Sequence, residues 1–191
     1  MNSKEIEIKF ELKEEEYKKI MKFLQQKGRF IQEQHQVDEY YSPVGKSFYD
    51  SGDRCLRIRI EGEKSILSYK QIHNENTTQQ YIEEYETLME DSQMVGRILK
   101  AIDFVQEIVI DKYRIEYMLK DNIIVAMDCV KDLGYFIEVE NHDESEALGV
   151  RNACMVEMIQ ELRVDSAKRN NEGYSNMMFR KKKEKRSEIK N

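Results

Sequence analysis

The stretch KEIEIKFEL, residues 4–12, decides the fold, because charged and apolar side chains alternate along it from Glu5 to Leu12. A period of two is typical of a β-strand whose faces meet different surroundings. The two faces carry, in turn, the apolar Ile6, Ile8 and Phe10 and the charged Glu5, Glu7 and Lys9. The charged face is either the wet side of a half-exposed sheet or the wall of an internal site, and this stretch alone leaves both open.

The same alternation returns along most of the chain. It appears in RCLRIRIE (54–61), KSILSYKQI (64–72), QQYIEEYETLM (79–89), FVQEIVIDKYRIEYML (104–119) and LGYFIEVE (133–140), and the mostly apolar NIIVAMDCV (122–130) is also predicted to be a strand. Helical spacing of apolar residues predicts helices at 13–26, 91–102 and 143–162. About eight strands joined by short turns predict an α+β domain that is mainly antiparallel β, either an open sheet or a barrel.

Composition narrows the class of protein. The 191 residues carry a formal net charge of -6, and this acidic excess disfavours a nucleic-acid partner. No run of apolar residues reaches the ~20 needed to span a membrane, so no membrane partner is expected. The three cysteines show no C-x-x-C spacing, which predicts a reduced, cytoplasmic protein. The basic run RKKKEKR (180–186) predicts a solvated tail over 179–191, after a domain over 1–178.

Charged faces of both signs suggest one site. Taken singly, each strand is explained by half-exposure, which gives the same alternation. Asp128 resists that explanation because its neighbours Val125–Val130 are almost all apolar, and a buried carboxylate needs a cation or donor. Carboxylates ligate hard cations, and arginine and lysine neutralise phosphate oxygens. Strands closed into a barrel, with the charged faces inward, would form a cavity for a metal-bound polyphosphate.

The sequence contains neither of two common glycine-rich phosphate-binding motifs. PVGKS (43–47) imitates the end of a P-loop, but Tyr40 stands where the first glycine is needed. No G-x-G-x-x-G is present. A phosphate site in this chain would therefore be built from side chains.

Seven segments in order resemble the CYTH family, the triphosphate tunnel metalloenzymes. They are E-x-E-x-K at 5–9, QVDEYY (36–41), LRIR (56–59), LSYK (67–70), EYE (84–86), DKYR (111–114) and MDCVKDLGYFIEVE (127–140). The segments QVDEYY and DCVKDLGYFIEVE are most similar to the class IV adenylate cyclase branch. The resemblance implies an eight-stranded closed β-barrel with helices packed outside it.

The resemblance also implies roles for individual residues. Metal, Mg²⁺ or Mn²⁺, would be held by Glu5, Glu7, Glu138 and Glu140. Triphosphate would be bound by Lys9, Arg57, Arg59, Lys70, Lys112 and Arg114. Catalytic roles would fall to Lys9, Lys70 and Asp128. Glu84, Glu86 and Glu116 would complete the acidic lining of the tunnel.

Three functions remain open at this point. The first is conversion of ATP to cyclic AMP and pyrophosphate, as the class IV resemblance implies. The second is hydrolysis of the terminal phosphate of inorganic tripolyphosphate or thiamine triphosphate, since the family includes enzymes with the same residues. The third is a non-catalytic module that binds polyphosphate or nucleotide, which the intact metal-site carboxylates disfavour. A homodimer is also left open.

Overall fold

The computed structural model describes residues 6–76, 79–120, 122–141 and 148–188. The strands are β1 Ile6–Leu12, β2 Arg29–Pro43, β3 Arg54–Glu61, β4 Lys64–Asn76, β5 Gln79–Met89, β6 Phe104–Lys120, β7 Ile123–Val130 and β8 Gly134–Asn141. The helices are α1 Glu14–Lys27, α2 Phe48–Ser51, α3 Ser92–Ala101, α4 Leu148–Glu161 and α5 Tyr174–Glu188, with a 3₁₀ turn at Ser166–Lys168. The chain divides into a first unit, Met1–Gln34 with Lys112–Glu172, and a second unit, His35–Asp111 with Gly173–Asn191.

The first unit contains an antiparallel sheet with one apolar and one charged face. Its strands pair in the order β1-β8-β7-β6, with Lys9 opposite Glu138 and Arg114 opposite Asp128. Directly opposed residues share a face, so these four charged side chains lie on the same side of the sheet. The other side is the core, and it includes Ile8, Phe10, Leu24, Val125, Met127, Ile137, Val139, Met155 and Met158. Helices α1 and α4 supply Leu24 and the two methionines, so they cover the apolar face.

Helix α1 begins and ends through identifiable contacts. The carboxylate of Glu16 accepts a hydrogen bond from the backbone N–H of Lys13 at 2.7 Å, which satisfies one of the open donors of the first turn. At the other end the N–H of Gly28 donates to Leu24 O. A Cβ at residue 28 would lie 2.9 Å from Leu24 O and 3.1 Å from Tyr117 Cβ, so the close approach of α1 to β6 requires glycine.

The second unit repeats the division into two faces. Its strands pair in the order β2-β3-β4-β5, with Asp38 opposite Arg59 and Arg57 opposite Ser68. The apolar side packs Tyr41 and Ile58 against Leu99 of α3. At the C-terminal end of the chain, α5 stacks the ring of Phe179 on that of Tyr49, with centroids 4.7 Å apart.

The eight strands form one hydrogen-bonded order, β1-β8-β7-β6-β2-β3-β4-β5. This confirms the mainly antiparallel eight-stranded fold. The expected closure into a barrel is wrong for the described residues, where β1 and β5 stand at the ends of the order without pairing. Alternation fixes which face a side chain takes but not which strands pair. At β1, moreover, the outer edge is already used, because Asn170 N donates to Lys9 O and Phe10 bridges Arg169.

The three predicted helices match α1, α3 and α4 within the described residues, while residues 143–147 of the third prediction lie outside them. Helices α2 and α5 were not expected. The domain limit at 178/179 stays a prediction. None of the helices in the described ranges combines the length and apolar composition that a membrane crossing requires.

Candidate active site

Glu138 is the centre of the charged face of the first unit. Its side chain is buried on β8, where Oε1 lies 3.0 Å from Lys9 Nζ and Oε2 contacts a terminal nitrogen of Arg114. Burial acts to raise the pKa of Glu138, but the charges of Arg114, Lys9 and Lys112 outweigh it and lower the pKa. The carboxylate is therefore ionised at neutral pH and holds two of the predicted phosphate ligands in place.

Asp128 fixes the direction of Arg114. The aspartate is completely buried on β7, and its two oxygens accept hydrogen bonds from Arg114 Nε at 2.8 Å and NH2 at 2.7 Å. Lys112, also buried, places its Nζ 3.6 Å from the same carboxylate. This bidentate geometry accounts for a charge within an otherwise apolar strand, because both partners are paired and the guanidinium has one orientation.

Three carboxylates of this face could hold a metal ion. Oxygen atoms of Glu7, Glu138 and Glu140 all lie within 4.8 Å of one another, because register places Glu7 opposite Glu140 and Glu138 two residues along β8. Desolvation, and then the charge of Glu138, raise the pKa of Glu7. Three carboxylates crowded together suit a hard divalent cation, which would relieve their mutual repulsion. This set of three carboxylates fits a divalent metal ion.

The charged face of the second unit contains a second buried aspartate. Asp38 on β2 is 2 % exposed, and it accepts hydrogen bonds from Arg59 Nε at 2.6 Å and NH2 at 2.8 Å. Burial of Arg59 acts to lower its pKa, but the hydrogen bonds and charge of Asp38 raise the pKa above the ordinary value. Arg59 is thus permanently charged and fixed in direction.

The remaining cations of the second unit have looser partners. Arg57 Nε donates to Ser68 Oγ at 3.1 Å, and its terminal nitrogens lie 3.9 Å from Asp38 and 3.6 Å from Glu86. Lys70 pairs with Glu84 at 2.8 Å, with both side chains more than one third exposed. Long or exposed ion pairs of this kind are weak, so an anionic ligand could replace them.

A comparison with protein-family models identifies the family of the chain. The CYTH domain model matches residues 3–174, which is nearly the whole chain. The chain belongs to the CYTH family. No curated protein matches the sequence.

Solved structures share the fold of this CYTH chain at low identity. The PH1819 protein from Pyrococcus horikoshii OT3 has a TM-score of 0.73 and 23 % identity, over 93 % of this chain and 99 % of that one. A candidate adenylate cyclase from Vibrio parahaemolyticus has a TM-score of 0.67 and 15 % identity, over 91 % and 97 %. HpAC1 from Hippeastrum, described as having a dominant triphosphatase activity, has a TM-score of 0.65 and 16 % identity, over 93 % and 94 %.

The predicted site residues of this CYTH domain divide between the two units. The first unit brings together Glu7, Lys9, Lys112, Arg114, Glu116, Asp128, Glu138 and Glu140. The second brings together Arg57, Arg59, Lys70, Glu84 and Glu86. Glu5 lies outside the described residues. The roles given to all of these residues stay predictions.

Sequence reasoning missed two side chains of the CYTH domain. Asp38 stands within the quoted segment QVDEYY, and Ser68 stands within LSYK two residues before Lys70, yet neither received a role. A signal was available for both, since a polar residue two positions from another on a strand shares its face. Their partners, however, lie on a neighbouring strand, and that register is visible only in the folded chain.

Proposed function

We propose that the protein is a metal-dependent enzyme acting on a triphosphate, and that its reaction is the conversion of ATP to cyclic AMP and pyrophosphate. The observation that supports this is the cluster of Glu7, Glu138 and Glu140 beside Lys9 and Arg114. Carboxylates for a cation and cations for phosphates occur on one face, as a metal–triphosphate substrate needs. We also propose a cytoplasmic location, and the oligomeric state stays open.

The side chains of this face would bind and orient the substrate. Glu7, Glu138 and Glu140 would hold Mg²⁺ or Mn²⁺, and Lys9, Lys112 and Arg114 would contact phosphate oxygens. In the second unit Arg57, Arg59 and Lys70 would also bind phosphates. A bound divalent ion would polarise the phosphoryl oxygens and lower the barrier to deprotonating the nucleophile.

In the cyclase reaction the ribose 3′-oxygen attacks the α-phosphorus. The bond from that phosphorus to the bridging oxygen breaks, pyrophosphate leaves, and the hydroxyl proton passes to solvent. Negative charge grows on the leaving oxygens, and fixed lysine and arginine donors stabilise that charge without reorganising. Asp128 is buried and paired with Arg114, so its part in this scheme is to hold the arginine.

Hydrolysis of the terminal phosphate is the second candidate. It uses the same residues, with water as the nucleophile, and the described activity of the Hippeastrum neighbour favours it. The two reactions differ in whether a nucleoside is held for attack by its own hydroxyl. They are separated by their products.

A product assay on the purified protein tests the proposal. ATP, thiamine triphosphate and tripolyphosphate are offered in parallel with Mg²⁺ or Mn²⁺. We expect cyclic AMP and pyrophosphate from ATP, and a loss of at least about tenfold in Glu140→Gln, the loss typical of disturbed metal sites. Glu140 is chosen because Glu138 also holds Lys9 and Arg114. The matched control is Glu15→Gln, a carboxylate exposed on α1, which leaves turnover unchanged.

Other products would revise the proposal in defined ways. Orthophosphate from any of the three substrates, without cyclic AMP, contradicts the cyclase and supports the triphosphatase. Binding of tripolyphosphate with no turnover contradicts both reactions and leaves a non-catalytic binding module. Turnover that survives in Glu140→Gln contradicts the assigned metal site.

A further inference from the structure

Asp38 holds Arg59 by one edge of its guanidinium group. The two hydrogen bonds, from Nε at 2.6 Å and NH2 at 2.8 Å, use two of the five N–H groups of the arginine. Two of the other three lie on the NH1/NH2 edge, and Glu61 approaches NH1 with its Oε1 at 3.7 Å. A guanidinium held in this way points its second edge in one direction.

Ser68 holds the guanidinium group of Arg57 through its Nε atom, with a single and longer hydrogen bond. Its hydroxyl is buried and accepts a hydrogen bond from Arg57 Nε at 3.1 Å, and this bond uses none of the four N–H groups of NH1 and NH2. Asp38 adds a longer contact to Arg57, at 3.9 Å from NH1. A single buried carboxylate therefore touches both predicted phosphate-binding arginines of the second unit.

We propose that Asp38 is a positioning residue that holds Arg59, with Ser68 holding Arg57, so that both guanidinium groups meet a polyphosphate already oriented. The inference rests on the proposed function. The first unit supplies a parallel, because Asp128 grips Arg114 through the same Nε and NH2 atoms with Lys112 beside it. Each unit thus pairs one buried aspartate with one arginine by its Nε edge.

A positioning role for Asp38 and a purely electrostatic role predict opposite changes in polyphosphate affinity when its carboxylate is removed. Removing a carboxylate next to two arginines makes the face more positive, so charge alone would tighten the binding of a polyanion. If Asp38 instead orients Arg59, its removal lets the side chain move, and binding must then order it again. Positioning therefore predicts weaker binding in spite of the gained positive charge.

The experiment measures tripolyphosphate binding by calorimetry with the full chain, in the presence of Mg²⁺. Asp38→Asn keeps the shape of the side chain, but its amide nitrogen is a donor and would face an N–H donor of Arg59. We expect the Kd to rise about three- to tenfold, the factor that corresponds to ordering one long side chain on binding. Glu61→Gln is the matched control, since it removes a carboxylate that approaches Arg59 at 3.7 Å without gripping its Nε edge. For that variant we expect equal or tighter binding.

A spectroscopic readout shows whether Arg59 has lost its orientation. The Nε–H resonance of Arg59, assigned by its absence in Arg59→Lys, is followed without ligand in the wild type and in Asp38→Asn. We expect slow solvent exchange in the wild type and fast exchange in the variant. A change in global folding alone would alter resonances throughout the chain, and circular dichroism checks that the variant remains folded.

The outcomes separate the inference from the proposed function. Weaker binding by Asp38→Asn together with faster Nε–H exchange supports the positioning role. Wild-type binding that is matched or exceeded by Asp38→Asn overturns that role alone and leaves the triphosphate site standing. No binding of tripolyphosphate by the wild-type protein overturns the proposed function, and the inference with it.

Discussion

Replacing Asp128 by asparagine tests whether the buried charges of the first unit are coupled as the structure indicates. The aspartate is fully buried and accepts two hydrogen bonds from Arg114, with Lys112 Nζ 3.6 Å away. Asparagine keeps the volume but carries no charge, and its NH2 group cannot accept a hydrogen bond. Arg114 and Lys112 then remain in buried surroundings with less compensation.

The loss in free energy of unfolding depends on the ionic partners that Arg114 keeps in the variant. Removing one partner of a buried ion pair destabilises a protein by about 3–5 kcal/mol. Arg114 keeps its contact with Glu138 and longer approaches to Glu116 and Glu140, at 3.8 Å and 3.6 Å. We therefore expect the lower end, about 3 kcal/mol. For a chain of this size each kcal/mol shifts the Tm by about 2–4 °C, so the Tm should fall by about 6–12 °C.

Thermal and urea unfolding followed by circular dichroism measure this loss. The matched control is Asp111→Asn, because the contact of Asp111 with His35, at 2.7 Å, joins side chains that are 34 % and 47 % exposed. Exposed pairs contribute about 1 kcal/mol or less. Adding Arg114→Gln to Asp128→Asn should cost less than the sum of the two single changes by about 1 kcal/mol or more. A loss for Asp128→Asn no larger than that for Asp111→Asn would refute the coupling.

Two further predictions concern the metal site and the packing of α1. Because the pKa of Glu7 is raised, its ionised form disfavours the folded state above its pKa; Glu7→Gln should therefore raise the Tm of the metal-free protein at pH 7. That gain in Tm should fade as the pH drops through the raised pKa of Glu7, and it should vanish below about pH 4.5. The rise in Tm produced by added Mn²⁺ should be smaller in the variant than in the wild type. A gain in Tm that persists at pH 4 would contradict the raised pKa of Glu7. Gly28→Ala should lower the free energy of unfolding by about 1–3 kcal/mol, because its Cβ would meet backbone at 2.9 Å. Gly149→Ala, with nothing within 4 Å, should raise it by about 0.5–1 kcal/mol, and equal Tm values for the two variants would contradict the packing argument.

Alternation predicted the faces of the strands well and their pairing poorly. The core residues Ile8, Phe10, Val125 and Met127 follow directly from a period of two. The missing pairing of β1 with β5 among the described residues does not, since it depends on contacts far apart in sequence. Residues 169 and 170, which lie at the edge of β1, are separated from it in sequence by seven strands and four helices.

The C-terminal basic run shows a different limit of the sequence. Six cations in seven residues, 180–186, predict a solvated tail, and the structure places them on α5, where residues 182–187 are exposed. Lys182 Nζ donates to Glu107 O at 3.0 Å, and Phe179 stacks on Tyr49. The apolar side chains that dock this helix precede the run, and no local pattern within the run reports their partners.

For the site, residue types were predictable and their couplings were not. A carboxylate within an apolar strand marked Asp128 as a residue that needs a partner, but the sequence could not choose among several arginines. Register made the choice, because Asp128 stands directly opposite Arg114 on β6 and Asp38 directly opposite Arg59 on β3. Opposed positions on neighbouring strands are close enough for a short, bidentate ion pair.

These couplings constrain how a metal ion could bind. Glu138 already neutralises Lys9 and Arg114, so ligation of a divalent ion by the same carboxylate would weaken both ion pairs. The lost pairing leaves the two cations with uncompensated charge, and a phosphate group restores that compensation. Metal and triphosphate should accordingly bind with positive cooperativity, each lowering the Kd of the other by the same factor, as linkage requires. Glu138 is the residue through which this coupling would act. Glu7 is half-exposed, and Arg114 is not a close partner of it among the described contacts. Ligation of the ion by Glu7 would therefore have little effect on the coupling.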